Sequence, residues 1–346
     1  MSDSPLRSGY VALIGRPNVG KSTLLNQLLG QKIAATTHKP QTTRKKLLGI
    51  LEGPGAQILL LDTPGYHRAR GPLNRFMVDE ARGAIADADL VAYLVEARSD
   101  GKITPGNERL LAELSRAKKP VILLLNKIDL VKEKPALLAQ LEVYAKALGD
   151  LLVEAIPISA LTTSGLSRVV EALAKHLPAG PRYFEEGQLT DQPERAIVAE
   201  FIREKVMLET RDELPYSAAV TIEAFEDHRP RLVRIIASLY VERDSQKGIV
   251  IGRGGERLKA IGSRARKDIE YFLGSKVFLD LQVKVAESWS EDPRALARLG
   301  YVAEGGSLPS EDDLGGDDGP VNDLDDLDDL DNLDDLADAP DPKPNP

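Results

Sequence analysis

The chain has 346 residues, no cysteine and a formal net charge of −9. That length has room for two domains and an appendage, and the lack of cysteine excludes disulfides and thiolate metal sites and fits a reducing cytoplasm. Met1 to Tyr10 is polar and lacks the apolar core of a signal peptide, while the longest apolar runs, such as Val121–Leu125, are far too short to span a bilayer. The charge is unevenly placed. Glu304 to Pro346 carries sixteen acidic residues and one lysine, and setting that −15 aside leaves +6 on residues 1–303.

Residues 10–176 alternate short apolar strands with helix-length segments, the pattern of a mostly parallel α/β sheet. Strands are expected at Tyr10–Ile14, Lys46–Leu51, Ile58–Leu61, Leu90–Val95, Val121–Leu125 and Val153–Ile158. The turn Gly53-Pro54-Gly55 is short enough to join the second and third as an antiparallel hairpin, which makes the sheet mixed. Helices are expected at Lys21–Leu29, Leu73–Ile85, Pro105–Ala117, Pro135–Leu148 and Gly165–His176. Leu177-Pro178-Ala179-Gly180-Pro181 cannot continue a helix and reads as a linker.

A smaller α+β unit follows from about Pro193 to Trp289. Arg195–Leu208 has helical periodicity, and Val233–Val241 and Val277–Val285 alternate as half-buried strands do. Between those strands lie Ile249-Val250-Ile251, the turn Gly252-Arg253-Gly254-Gly255 and a helix from Glu256 to Leu273. The expected order is helix, strand, strand, helix, loop, helix, strand. Beyond Tyr301 the chain turns to Gly, Pro, Asp and a Leu-Asp-Asp triplet, a composition expected to be disordered.

Four motifs in the first unit point to a guanine-nucleotide site. Gly15-Arg16-Pro17-Asn18-Val19-Gly20-Lys21-Ser22 fits the phosphate-loop pattern G-x-x-x-x-G-K-[ST], for which the odds of a chance match in this chain are roughly one in a hundred. Gly15 and Gly20 let the backbone curl around phosphate oxygens, and the helix opening at Lys21 favours an anion at its start. Asn18, Val19 and Thr23 belong to the same cradle. Lys21 would bridge the β- and γ-phosphates, and Ser22 would ligate Mg²⁺. Asp62-Thr63-Pro64-Gly65 ends an apolar strand, where Asp62 can hold the Mg²⁺ shell and the Gly65 N–H can meet the γ-phosphate. In the polar stretch between, Thr43, preferred to Thr42, could complete the Mg²⁺ shell and sense the γ-phosphate. Lys21, Thr43 and Gly65 are thus the residues expected to act on the phosphate being released.

Asn126-Lys127-Ile128-Asp129 follows the strand Val121–Leu125 at the carboxyl edge, where such sheets bind ligands. Asp129 can accept from N1–H and N2–H₂ of guanine, and adenine would leave that carboxylate unpaired. The Lys127 stem can cover the ring, Asn126 can tie loops together, and the Ala160 N–H of Ser159-Ala160 can meet O6.

Taken together these motifs resemble the translation-factor-like GTPases of the Era family, over about residues 9–303. The likeness includes Pro40-Gln41-Thr42-Thr43-Arg44, His176-Leu177-Pro178, Ile202-Arg203-Glu204-Lys205, Glu213-Leu214-Pro215-Tyr216, Val250-Ile251-Gly252 and Arg298-Leu299-Gly300-Tyr301-Val302. It implies a GTPase domain at 9–178 after a flexible N-terminus at 1–8. A linker at 179–192, a type II KH domain with a C-terminal extension at 193–303 and an acidic tail at 304–346 would follow. It implies a cytoplasmic GTP-hydrolysing switch, monomeric, that binds the 3′ end of small-subunit ribosomal RNA and serves the pre-30S particle. DNA is not an expected partner, and a weak peripheral contact at the inner face of the cell membrane is left open. It also implies K⁺ near Asn18, where other enzymes use an arginine finger.

The residues of the second unit agree with a KH assignment. A KH fold clamps nucleotides with a G-x-x-G loop between two helices. Gly252, Arg253, Gly254 and Gly255 supply that loop, and Arg257 and Lys259 put positive charge on the helix that follows. Arg264, Arg266 and Lys267 extend the charge or simply form a solvated helix face. After Gly65 comes Tyr66, where Ras-like enzymes carry a water-orienting glutamine, so intrinsic hydrolysis should be slow. The alternative reading is an RNA-binding chaperone that uses nucleotide mainly as an anchor, with negligible turnover. A double-domain ribosome GTPase would need a second phosphate loop, and the tRNA-modifying relative a cysteine motif; neither pattern is in the sequence.

Two readings of the acidic tail stand side by side. It either solvates the chain or competes with RNA for the basic surface around Arg253, Arg257 and Lys259. Its leucines, at every third position from Leu324 to Leu336, drift about 60° per step around an α-helix and form no sharp apolar stripe. A tethered competitor acts at an effective concentration of up to about millimolar. If it competes, deleting residues 306–346 tightens RNA binding by about 3- to 30-fold at low salt, roughly 0.7–2 kcal/mol, with the gain shrinking as salt screens it. Equal affinities of the full-length and truncated chains at about 50 mM salt leave the solvating reading.

Overall fold

The computed structural model describes residues 6–66, 71–132, 134–211 and 214–302. The acidic stretch expected to be disordered lies outside the described residues.

The first unit is built on strands buried on both faces, which is why their sequences read as unbroken apolar runs. They are β1 (Arg7–Gly15), β2 (Leu47–Gly53), β3 (Ala56–Asp62), β4 (Leu90–Glu96), β5 (Val121–Asn126) and β6 (Leu152–Pro157). The sheet order is β2-β3-β1-β4-β5-β6. Only β2 runs antiparallel, paired to β3 from Leu47 opposite Asp62 to Gly53 opposite Ala56, so the glycine turn makes the expected hairpin. The helices are α1 (Lys21–Leu29), α2 (Gly71–Asp87), α3 (Pro105–Ala117), α4 (Lys134–Leu148) and α5 (Leu166–His176). α1 and α5 cover one face of the sheet; α2, α3 and α4 cover the other. β1 begins three residues earlier than its apolar run, because Arg7 and Ser8 pair with Ala56 and Gln57.

The second unit comprises α6 (Glu194–Glu209), β7 (Ala219–His228), β8 (Leu232–Val241), α7 (Asp244–Ile251), α8 (Glu256–Leu273) and β9 (Val277–Val285), then α9 (Pro293–Arg298). β8 is central, antiparallel to β7 and parallel to β9. This is the expected order. The short α9 is an addition to it. Its signal lay in Asp292-Pro293: the Asp292 carboxylate accepts from Arg294 N at 2.8 Å, and proline suits the first helical turn.

The proline-rich connection is no loose tether. Ser8 N donates to Pro178 O, and Ile50 N to Leu189 O, at 3.1 and 2.8 Å, while Gln57 bonds the backbone of Tyr183 and Phe184. The segment is thereby laid along β1, β3 and β2. One apolar cluster runs from Val11, Leu24 and Ile33 through Ile197, Phe201 and Ile202 of α6 to Val233 and Ile235 of β8. α6 therefore joins the two units through buried side chains. No helix among the described residues is long and apolar enough to cross a membrane.

Candidate nucleotide site and RNA-facing loop

The four motifs converge because β1, β3, β5 and β6 all end on the same edge of the sheet. The phosphate loop leaves β1 at Gly15, where a Cβ would lie 2.6 Å from Leu94 O. Gly20 sits at φ 101° and caps α1; its Cβ would meet Asn126 Nδ2 at 2.4 Å. Gly65 is equally confined, with its absent Cβ 2.7 Å from the Pro17 backbone. Gly15 and Gly65 permit approaches of backbone to backbone, and Gly20 the approach of the Asn126 amide, that a side chain would block.

At the start of α1 three oxygen-bearing side chains meet. Ser22 Oγ donates to Asp62 Oδ2 at 2.6 Å and lies 2.8 Å from Thr43 Oγ1, which itself donates to Asp62 Oδ2 at 3.3 Å. Asp62 is fully buried, and its Oδ1 is buried without a partner. Burial raises its carboxyl pKa, against the opposing pull of the Lys21 charge. Two hydroxyls and a carboxylate with an unsatisfied oxygen form a donor set suited to a hard cation such as Mg²⁺. Thr42 points elsewhere, donating to Lys39 O at 2.8 Å and lying 2.7 Å from Thr37 Oγ1. Of the two threonines, Thr43 is the one bonded to Ser22 and Asp62.

Lys21 Nζ reaches the carbonyls of Gly15 and Arg16, each at 3.2 Å. Burial lowers its pKa to about 8 although Asp62 raises it. A desolvated ammonium held only by carbonyls is well prepared for an anionic oxygen. Asn18, at φ 60°, donates through Nδ2 to His38 O at 2.6 Å. Thr23 lines the same cleft as Asn18 and Thr43, and Val19 is buried beneath it.

Tyr66 N donates to Gly15 O at 3.1 Å. The ring, 8% exposed, packs with the core on the α2–α3 side. That placement is consistent with Tyr66 having no part in orienting water.

Asn126 ties the base-side loops together. Its Nδ2 donates to Val19 O at 2.7 Å, and its Oδ1 accepts from Ala160 N at 2.9 Å. The Ala160 N–H expected to meet guanine O6 is therefore engaged, and an O6 contact requires it to be shared. Ser159 is buried, with Oγ accepting from Thr162 N at 3.2 Å, so its side chain shapes the loop. Lys127 has φ 65° and pairs with Glu96 at 2.8 Å. Asp129 is exposed in the turn Ile128–Leu130.

In the second unit Gly252, Gly254 and Gly255 all have positive φ, at 73°, 60° and 82°. The Cβ of Gly252 would strike Arg257 Cβ at 2.8 Å, whereas Gly254 faces open space. Arg253 and Lys259 are exposed. Arg257 donates to Ile249 O at 2.5 Å and so also braces the loop. Arg264 pairs with Glu209, while Arg266 and Lys267 remain on the solvated face.

Sequence reasoning missed how the second unit grips the segment carrying Thr43. Lys32 Nζ lies 2.7 Å from both Glu204 Oε1 and Asp268 Oδ2. Thr36 N donates to Glu204 Oε2 at 3.0 Å, and Lys39 Nζ to Met207 O at 2.6 Å. Arg203 donates to Thr42 O, and Arg44 reaches Tyr216 O and Ala218 O. No periodicity marks such residues, since each answers to a partner about 170 positions away.

Fold and site define a P-loop GTPase joined to a KH domain. Residues 10–127 match the family described as 50S ribosome-binding GTPase, and residues 213–290 match the KH domain family. The chain is similar to GTPase Era of Geotalea uraniireducens (51% identical over 301 residues, covering 87% of this chain and 100% of that one). It is 42% identical to GTPase Era of Staphylococcus haemolyticus, over 86% and 98% of the two chains. Crystal structures of an Aquifex aeolicus Era tyrosine-to-alanine variant bound to GDP·AlF₄⁻, and of Era with MgGDPNP and nucleotides 1506–1542 of 16S ribosomal RNA, each superpose with a TM-score of 0.82. Both are 38% identical and cover 86% of this chain and 100% of theirs. This chain belongs to the Era family of GTPases.

Asn126→Ala leaves Val19 O and Ala160 N without their partner in a buried loop junction. It is expected to weaken GTP and GDP binding alike, by about tenfold or more, the penalty of unpaired buried polar groups. Equilibrium titration with fluorescent GTP and GDP analogues checks this; a loss confined to GTP would contradict a purely base-side role.

Proposed function

We propose that this chain binds GTP with Mg²⁺, hydrolyses it slowly, and uses the cycle to control binding of the 3′ end of small-subunit ribosomal RNA on the pre-30S particle. We take it to act as a cytoplasmic monomer. The GTPase domain is read as residues 9–178, the linker as 179–192 and the KH domain as 193–303. The observation that carries the nucleotide part is the meeting of Ser22, Thr43 and buried Asp62 within 3.3 Å beside Lys21. The RNA part is supported by the exposed Gly254 and Arg253 of the G-x-x-G loop and by the relative crystallised with 16S ribosomal RNA.

In this reading Gly15, Asn18, Val19, Gly20, Lys21, Ser22 and Thr23 enclose the phosphates. Ser22, Thr43 and Asp62 hold Mg²⁺, which neutralises charge between the β- and γ-phosphates. Lys21 stabilises the charge that develops on the phosphate oxygens, and Gly65 N–H meets the terminal phosphate. The Asn18 amide, held through Nδ2 by His38 O, leaves its oxygen as a neutral ligand of the kind that would suit K⁺. Asn126, Lys127, Asp129, Ser159 and Ala160 select guanine. Gly252, Arg253, Gly254, Gly255, Arg257 and Lys259 hold RNA backbone.

Two variants test the halves separately. Asp129→Asn replaces an acceptor with a donor and is expected to move preference from guanine toward xanthine nucleotides; ATP binding as tight as GTP binding by the wild type would refute the assignment. Gly254→Asp places a negative charge in the open space over the loop. Asp tolerates φ 60°, so the fold should survive, with RNA affinity lost and intrinsic GTP hydrolysis nearly unchanged. Retained RNA binding would move the RNA site off this loop.

A further inference from the structure

The residue after Thr43 is Arg44, an arginine with only 1% exposure. Its guanidinium donates to Tyr216 O at 2.6 Å and to Ala218 O at 2.8 Å. Trp289 Nε1 donates to the carbonyl between them, Ser217 O, at 2.9 Å. Trp289 and Tyr301 stack at 5.6 Å and 20°, and the Arg44 Cζ lies 5.7 and 5.9 Å from their ring centroids. Tyr301 Oη accepts from Arg44 at 3.3 Å, and Lys45 Nζ sits 4.9 Å over the same ring. On the other side of Thr43, Thr42 O is held by Arg203, itself paired to Glu200.

The aromatic pair also carries the other phosphate-side segment. α2, which follows the Asp62–Gly65 motif, packs Leu73 and Met77 against Trp289, Leu296 and Tyr301. Phe76 meets Tyr301 edge-on at 5.9 Å. Thr43 reaches Ser22 and Asp62 from a loop held within the first unit by Asn18 and Asn74 and, on either side of Thr43, by groups of the second unit.

We propose that the C-terminal segment 286–302 is a positioning element of the GTPase: Arg44, clamped by Trp289, Tyr301 and the carbonyls of Tyr216 and Ala218, holds Thr43 in place for triphosphate recognition. The proposal rests on the reading of Thr43 as a ligand in the triphosphate state. The guanidinium suits the task because it is planar, permanently charged, and able to stack while donating in two directions. A GDP complex lacks the γ-phosphate that Thr43 would sense, so it should be indifferent to the clamp. Coupling is reciprocal: a triphosphate that orders Thr43 stabilises the segment following β9 by the same factor that the segment contributes to triphosphate affinity.

The test uses the full-length chain with Mg²⁺ and fluorescent GDPNP and GDP. Arg44→Gln is expected to weaken GDPNP binding by about 5- to 50-fold, the usual span of coupling between sites, while GDP affinity stays within about twofold. GDP binding thereby reports that the variant is folded. Trp289→Phe keeps the apolar bulk but loses the bond to Ser217 O, and should give a smaller loss in the same direction. Tyr301→Phe keeps the stack but loses the 3.3 Å bond to Arg44, and should give the smallest loss of the three in the same direction. Thr43→Ala should by itself weaken GDPNP binding relative to GDP binding. If Thr43→Ala does so while Arg44→Gln and Trp289→Phe keep the wild-type ratio, the clamp is overturned and the reading of Thr43 stands. If Thr43→Ala leaves the ratio intact, the reading of Thr43 fails, and the clamp with it. Equal losses for GDP and GDPNP would reduce Arg44 to a structural residue and also overturn the proposal.

Discussion

A carboxylate with no solvent exposure sets the terms for the nucleotide site. Asp62 ends β3, a strand buried at every position, where an ionised group is costly unless it is compensated. The compensation comes from three directions: the Lys21 charge, the Ser22 hydroxyl at the start of α1 and the Thr43 hydroxyl from the loop before β2. Lys21 and Ser22 open α1 and Thr43 comes from the loop before β2, so the start of α1, the end of β3 and the Thr43 loop must be placed together. The oxygen of Asp62 that no protein group satisfies makes the cluster suited to a cation instead of to a closed polar core.

The segment between α1 and β2 is a wall shared by two units. Its inner side presents Thr36 and Thr43 to the phosphate cleft; its outer side is bonded to α6, α8 and the approach to β7. Lys32, Glu204, Lys205 and Asp268 form one ion-pair cluster in which two lysines face two carboxylates, with each contact at 2.7 Å. Asp268 lies on the helix that the G-x-x-G loop opens. This wall therefore touches directly the helix that the G-x-x-G loop opens.

The base side is organised differently. Asn126 sits at the junction of β5, the phosphate loop and the loop after β6, and is bonded to backbone within the first unit alone. Under the proposed roles, discrimination of the base would thus stand apart from the wall that would sense the phosphate chain. A switch needs this separation, because the base is common to GTP and GDP while only the terminal phosphate differs.

Local order was legible in the sequence wherever the cause was local. Strands buried on both faces read as apolar runs, Gly53-Pro54-Gly55 announced the antiparallel pair of the first sheet, and the phosphate loop could be placed because Gly15, Gly20 and Lys21 are needed at a fixed spacing. The order of elements around Gly252–Gly255 followed from periodicity in the same way. The clamp on Arg44 was not legible. Its partners at 216, 218, 289 and 301 come together only through the packing of α6, β7 and α9 against the first unit. Nor could spacing show that Ala160 N–H is held by Asn126, or that the prolines after Leu177 lie bonded along the sheet edge. The sequence by itself determined which chemistry the chain carries, because that chemistry depends on residue type and short spacing. Tertiary structure alone decided which groups hold the threonine loop in place, because those contacts join residues about 170 and more positions apart.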